Sequence, residues 1–108
     1  MRGGDAALEH AKMHIQVIGP APRLIERIRA YAEYRVFSRL APLAREVTAV
    51  RVVVSQSPSD GLTSCSLSAD LGPGGRVRTR SRRAHPTRAI DSAAEKLSAA
   101  MARRLQER

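Results

Sequence analysis

Residues 62–71 read Leu62-Thr63-Ser64-Cys65-Ser66-Leu67-Ser68-Ala69-Asp70-Leu71. Thr63, Cys65, Leu67, Ala69 and Leu71 share one parity, and Ser64, Ser66, Ser68 and Asp70 share the other. Successive side chains of a strand point to opposite faces, so this alternation predicts a strand with one buried face. Such a strand needs a cover on one side only, and amphipathic helices can supply it.

The same period recurs on either side. Val47–Ser57 places Val50, Val52 and Val54 on one face, and Ser57-Pro58-Ser59-Asp60-Gly61 reads as a loop. Downstream, Gly72-Pro73-Gly74-Gly75 reads as a turn. Arg76–Arg83 then forms a fourth strand with Val77 and Thr79 inward and Arg76, Arg78, Arg80 and Arg82 outward. Near the start, Lys12–Ile18 sets Met13, Ile15 and Val17 against His14 and Gln16, until Gly19-Pro20-Ala21-Pro22 breaks the pattern.

Two stretches switch to helical spacing. From Pro22 to about Ala44, Leu24, Ile25, Ile28, Ala32, Val36 and Leu40 form one apolar stripe, with Arg23, Arg27, Arg35 and Arg39 off it or along its edge. Pro42 is expected to end or kink this helix. From Pro86 to Gln106, the stripe is Ile90, Ala94, Leu97, Met101 and Leu105. Asp91 is placed in its first turn and Arg103 and Arg104 near its last, which suits the helix dipole. The fold class is therefore α+β: a β-α-β-β-β-α two-layer sandwich, with a four-stranded mixed sheet and two helices on one face. The first two strands are joined through a helix and can lie parallel, and short turns make the others antiparallel. Residues 1–11 are expected to be a flexible extension, and 12–108 a single domain.

Charge points to the partner. Nineteen Lys and Arg face ten Asp and Glu, giving +9, and only Lys12 and Lys96 are lysine. Such an excess attracts polyanions, and the guanidinium fork matches phosphate. From Arg76 to Arg88 there are six Arg and no acidic residue. This strip reads either as a phosphate-binding surface or as a solvated edge strand whose charges block edge-to-edge pairing. Tyr31, Tyr34 and Phe37 are the only aromatics and all fall in the first helix. A sheet without aromatic platforms suits backbone and shape recognition of folded RNA better than stacking on single strands.

Catalytic and metal-binding patterns are not evident. His10 and His14 have the spacing of a metal pair on a helix, but His14 falls in the first strand. The single cysteine, Cys65, lies on the inward face and reads as a buried structural thiol. The chain shows neither a signal peptide nor an apolar run long enough to span a bilayer. No cofactor, metal, membrane or small-molecule substrate is implied, and a reducing cytoplasmic setting is expected.

Two local motifs add a resemblance. Ile28-Arg29-Ala30-Tyr31-Ala32, followed by Arg35 and Arg39-Leu40, is similar to a Leu-Arg-x-Tyr-Val pattern with trailing basic residues. Ala89-Ile90-Asp91, followed by Glu95-Lys96-Leu97 and a basic tail, is similar to an Ala-Ile-Asp…Asp-Lys-Leu signature. Over roughly Met13 to Leu105 the chain thus resembles the ribosome hibernation promoting factor and ribosome-associated translation inhibitor family, the sigma-54 modulation proteins. The resemblance implies a non-enzymatic factor that binds small-subunit ribosomal RNA in the decoding channel and inhibits translation or protects idle ribosomes. It also implies Arg35, Arg39, Lys96, Arg103 and Arg104 as RNA-binding residues; Arg82 and Arg83 join them on the charge argument. The sequence departs from the family at His85, Thr87 and Arg88, ahead of Ala-Ile-Asp. With its end at Arg108, the chain is expected to lack the C-terminal dimerisation domain of long members. A general structured-RNA module and a protein-interaction domain stand as alternatives, and both the helix flanks and the outer strand face qualify as the contact surface.

Overall fold

A computed structural model describes residues 13–107. Its elements are β1 (His14–Ile18), α1 (Pro22–Leu40), a 3-10 segment (Ala41–Glu46), β2 (Ala49–Gln56), β3 (Thr63–Asp70), β4 (Arg76–Arg83) and α2 (Pro86–Gln106). The sheet order is β1-β2-β3-β4. β1 pairs parallel to β2, and the other two pairings are antiparallel. The expected α+β sandwich is the observed one. The extension expected over residues 1–11, with His10, lies outside the described residues.

Register sorts the strand residues into two faces. Val50, Ala69 and Val77 stand in one row, Val52, Leu67 and Thr79 in the next, and Val54, Cys65 and Ser81 in a third. Nearly all are buried beneath the helices; Thr79 is half-buried and donates from Oγ1 to the Ala93 carbonyl of α2 at 3.0 Å. α1 contributes Leu24, Ile25, Ile28, Ala32, Val36 and Leu40 to this core. α2 contributes Ala89, Ile90, Ala93, Ala94, Leu97 and Met101, with small alanines where helix and sheet come close. Burial pushes the Cys65 thiol up to about 12, so it stays protonated and inert.

Several boundaries and placements differ from expectation. α1 ends at Leu40, and the chain continues as a 3-10 segment kinked at Leu43 (φ −111°), because Pro42 has no N–H to carry the α pattern on. β2 and β3 are shorter than expected by one or two residues at their ends. Asp91 is not in the first turn of α2, which starts at Pro86; it sits one turn further along. Leu105 is half-buried rather than core, since the helix beyond Met101, its last fully buried residue, has reached the start of β4, where Arg104 bonds the Gly74 and Arg76 carbonyls.

Gly19 fixes the exit from β1. A Cβ at this position would collide with the Val54 carbonyl and lie 2.8 Å from the Ile25 side chain. Gly19→Ala should therefore lower stability by about 1–3 kcal/mol, the usual cost of overpacking. Chemical denaturation of the variant beside the parent checks this.

Candidate nucleic-acid interface

The two motif-bearing helices are clasped together. Asp91 of α2 accepts, on one oxygen, the Tyr31 hydroxyl at 2.6 Å and the Arg35 Nε at 2.8 Å. Burial raises the Tyr31 pKa, and the hydrogen bond and negative charge of Asp91 raise it further. Arg35's own hydrogen bond to Asp91 and the charge of that carboxylate raise the Arg35 pKa. One turn further along, Arg39 pairs with Glu95 at 3.1 Å. Arg35 and Arg39 thus reach solvent only in part, with 35% and 39% side-chain exposure, and each already holds a carboxylate.

Other cations on the expected list serve the outer edge of β4. The Lys96 ammonium donates to the Arg80 carbonyl at 3.1 Å. Arg104 donates to the Gly74 carbonyl at 2.9 Å and more weakly to the Arg76 carbonyl at 3.5 Å. Arg83 donates to the Arg82 carbonyl at 2.7 Å and to the Ser92 hydroxyl at 3.0 Å. Outward carbonyls of an edge strand invite pairing with another chain, and these contacts occupy three of them. Arg82 is held by Asp60 of the β2–β3 loop at 3.0 Å. The Leu62 N–H, first, keeps the Asp60 carboxyl below its usual range, with Arg82 adding to it. Arg103 is exposed and has no hydrogen bond or ion pair among the described residues. The seven expected residues therefore do not converge on one spot: they spread over a helix–helix seam, a strand edge, a loop and a helix end.

A different group does converge. On the face of the sheet away from the helices, register aligns Arg51 of β2, Ser68 of β3 and Arg78 of β4, and beside them Val53, Ser66 and Arg80. Arg76 continues the β4 row opposite Asp70, whose carboxylate turns back to the Gly72 N–H at 3.1 Å. Together with His14 and Gln16 of β1 these residues line a shallow depression of about 730 Å³. Arg51, Arg76, Arg78 and Arg80 are exposed, and none has an ion-pair partner among the described residues. The alternation of β4 already turned its arginines outward in the sequence. Arg51 was missed, although its place between Val50 and Val52 gives it the same outward parity. Four unpaired guanidiniums around serine hydroxyls form a surface suited to phosphate oxygens.

The sequence model described as sigma 54 modulation protein / S30EA ribosomal protein matches residues 15–108. The chain belongs to this family. Among solved structures, the sigma 54 modulation fold of this chain is similar to the N-terminal domain of Protein Y from Thermus thermophilus. That match has a TM-score of 0.67 and 29% identity, over 84% of this chain and 98% of that one. A ribosomal subunit interface protein from Coxiella burnetii shares the fold, with a TM-score of 0.68 and 19% identity over 84% and 96% of the two chains. No curated protein matches the sequence. The two stretches that carry the family resemblance are those that meet in the Tyr31–Asp91–Arg35 clasp.

That clasp has a spectroscopic signature. A raised Tyr31 pKa, set first by burial and then by the Asp91 hydrogen bond, means that the protonated hydroxyl makes its full contribution to the fold below the ordinary tyrosine value of about 10. The contribution disappears as pH climbs through the higher folded value. In a Y34F background, leaving Tyr31 as the one tyrosine, phenolate absorbance should rise later than in free tyrosine. Adding Asp91→Asn should bring the transition back toward the ordinary value and lower the melting temperature.

Proposed function

We propose that this chain is a non-enzymatic ribosome-binding factor. It docks on the ribosomal RNA of the small subunit, occupies the decoding channel, and there inhibits translation or protects idle ribosomes in the cytoplasm. Membership of a family described by a ribosomal protein is the observation that carries this reading. Charge supports it: a net +9, mostly guanidinium, favours the phosphates of a folded RNA over a small neutral substrate. The open sheet face carries no Tyr or Phe, so contact is with backbone and shape rather than with unstacked bases. Among the described residues no helix is long and apolar enough to cross a membrane.

The same absence of Tyr and Phe gives a second reading some support, namely a structured-RNA module without preference for the ribosome. Cosedimentation with purified small subunits over a salt series separates the two. Neutralising about six phosphates should make log affinity fall against log salt with a slope of roughly −4 to −6. The ribosomal reading expects tighter binding to subunits than to random duplex RNA, and a dose-dependent loss of product in cell-free translation. Equal affinity for subunits and random duplexes would favour the second reading.

A further inference from the structure

We propose that the outer edge of β1 is a docking site for an extended segment of another protein. The segment adds to the sheet as a further strand and sets an acidic side chain opposite Val17, where it takes over Arg29. This site is separate from the ribosome-binding reading and does not depend on it.

The two edges of the sheet are built differently. β4 carries five arginines, and Arg83, Lys96 and Arg104 cover carbonyls along it. Charges and covered backbone groups are the usual bar to a further strand. β1 reads His14-Ile15-Gln16-Val17-Ile18 and carries no Lys, Arg, Asp, Glu or Pro. The His14 N–H bonds the Thr48 carbonyl at 3.1 Å, so His14, Gln16 and Ile18 turn their backbone groups toward β2. Ile15 and Val17 therefore turn theirs to the open edge. Of these four groups one is taken: the Val17 carbonyl accepts from the Arg29 guanidinium at 3.0 Å. The Ile15 N–H, the Ile15 carbonyl and the Val17 N–H have no partner among the described residues.

Beside this edge, β1 and α1 leave a groove of about 400 Å³, lined by Val17, Ile25, Arg23, Glu26 and Arg29 among others. A strand laid antiparallel along β1 meets Ile15 and Val17 as hydrogen-bonded pairs. Directly opposite residues of such pairs share a face of the sheet. Val17 is buried toward the helices, so the residue opposite it points to the α1 side, where the groove lies.

Charge names the occupant. The groove holds two arginines and one glutamate, and the whole chain carries +9. That excess opposes a second copy of this chain and draws an acidic segment. An incoming strand needs the Val17 carbonyl that Arg29 now holds. A carboxylate opposite Val17 gives the displaced guanidinium a bond between two full charges in exchange, stronger than the one to a carbonyl. Arg29 thus closes the edge to a neutral strand and opens it to an acidic one. Main-chain bonds then supply affinity, and the groove supplies specificity.

The test measures binding of fluorescein-labelled, capped peptides to the full-length chain by anisotropy. The probe has about nine residues, alternating threonine and valine around one central glutamate. One control replaces the glutamate by glutamine, and another methylates the glutamate amide nitrogen, which removes the donor to the Val17 carbonyl. The glutamate peptide should bind at least about tenfold tighter than either control. Arg29→Ala should erase the preference for glutamate over glutamine, while the glutamine peptide binds as well as before or better, because the Val17 carbonyl is freed. Ile15→Pro removes an outward N–H that β2 does not use, and should weaken the glutamate peptide. Should that variant fail to fold, the methylated peptide makes the same comparison. No binding to the parent, equal binding of the methylated peptide, or a glutamate preference that survives Arg29→Ala overturns the proposal. So does an Arg29→Ala chain that sediments as a dimer and leaves the peptide free, since the occupant of the edge is then a second copy.

Discussion

Both helices press on the same side of a four-stranded sheet, and this one-sidedness assigns a role to every strand residue. Inward positions must be apolar or small to meet α1 and α2, which accounts for Val50, Val52, Val54, Cys65, Leu67 and Ala69. Outward positions meet water and are free to carry whatever the partner requires. In this chain they carry serine on β3 and arginine on β4, with Arg51 rising from β2. A single period of two thus generates the hydrophobic core and the cationic surface together.

Acidic residues complete the division. The carboxylates of Asp91, Glu95 and Asp60 each engage a specific arginine of a helix or a loop-side strand end. Exposed pairs of this kind contribute little to stability. Their effect is to fix side-chain positions, at the seam of the two helices for Arg35 and Arg39 and at the outward end of β4 for Arg82. Asp70 is the single acidic residue at the outward strand positions, and its carboxylate closes the β3–β4 turn. Positive charge is therefore present on both sides of the molecule, and on the open sheet face Arg51, Arg76, Arg78 and Arg80 have no ion pair among the described residues.

Most of the fold was legible because alternation and helical spacing are local properties. Residues 62–71 carried the sheet face, and Arg76–Arg83 carried the strand whose bounds match the structure. The 3-10 segment after Leu40 was signalled by Pro42, although the end of α1 itself was set too late. The site was less legible, because ion pairing depends on distance in space. Arg35 and Asp91 lie 56 residues apart in sequence, and Arg82 and Asp60 lie 22 apart. No local pattern shows that these pairs meet, or that Lys96 bends toward the Arg80 carbonyl. Family resemblance drew attention to the helix cations, whereas Arg51, one arginine within a run of valines, gave no signal beyond its parity.

A cryo-electron microscopy map of this chain bound to small subunits would test the central claim most directly. The chain is expected to lie in the decoding channel of the small subunit, with arginine side chains within hydrogen-bond reach of ribosomal RNA phosphates. A map in which that channel holds no density for the chain would contradict it.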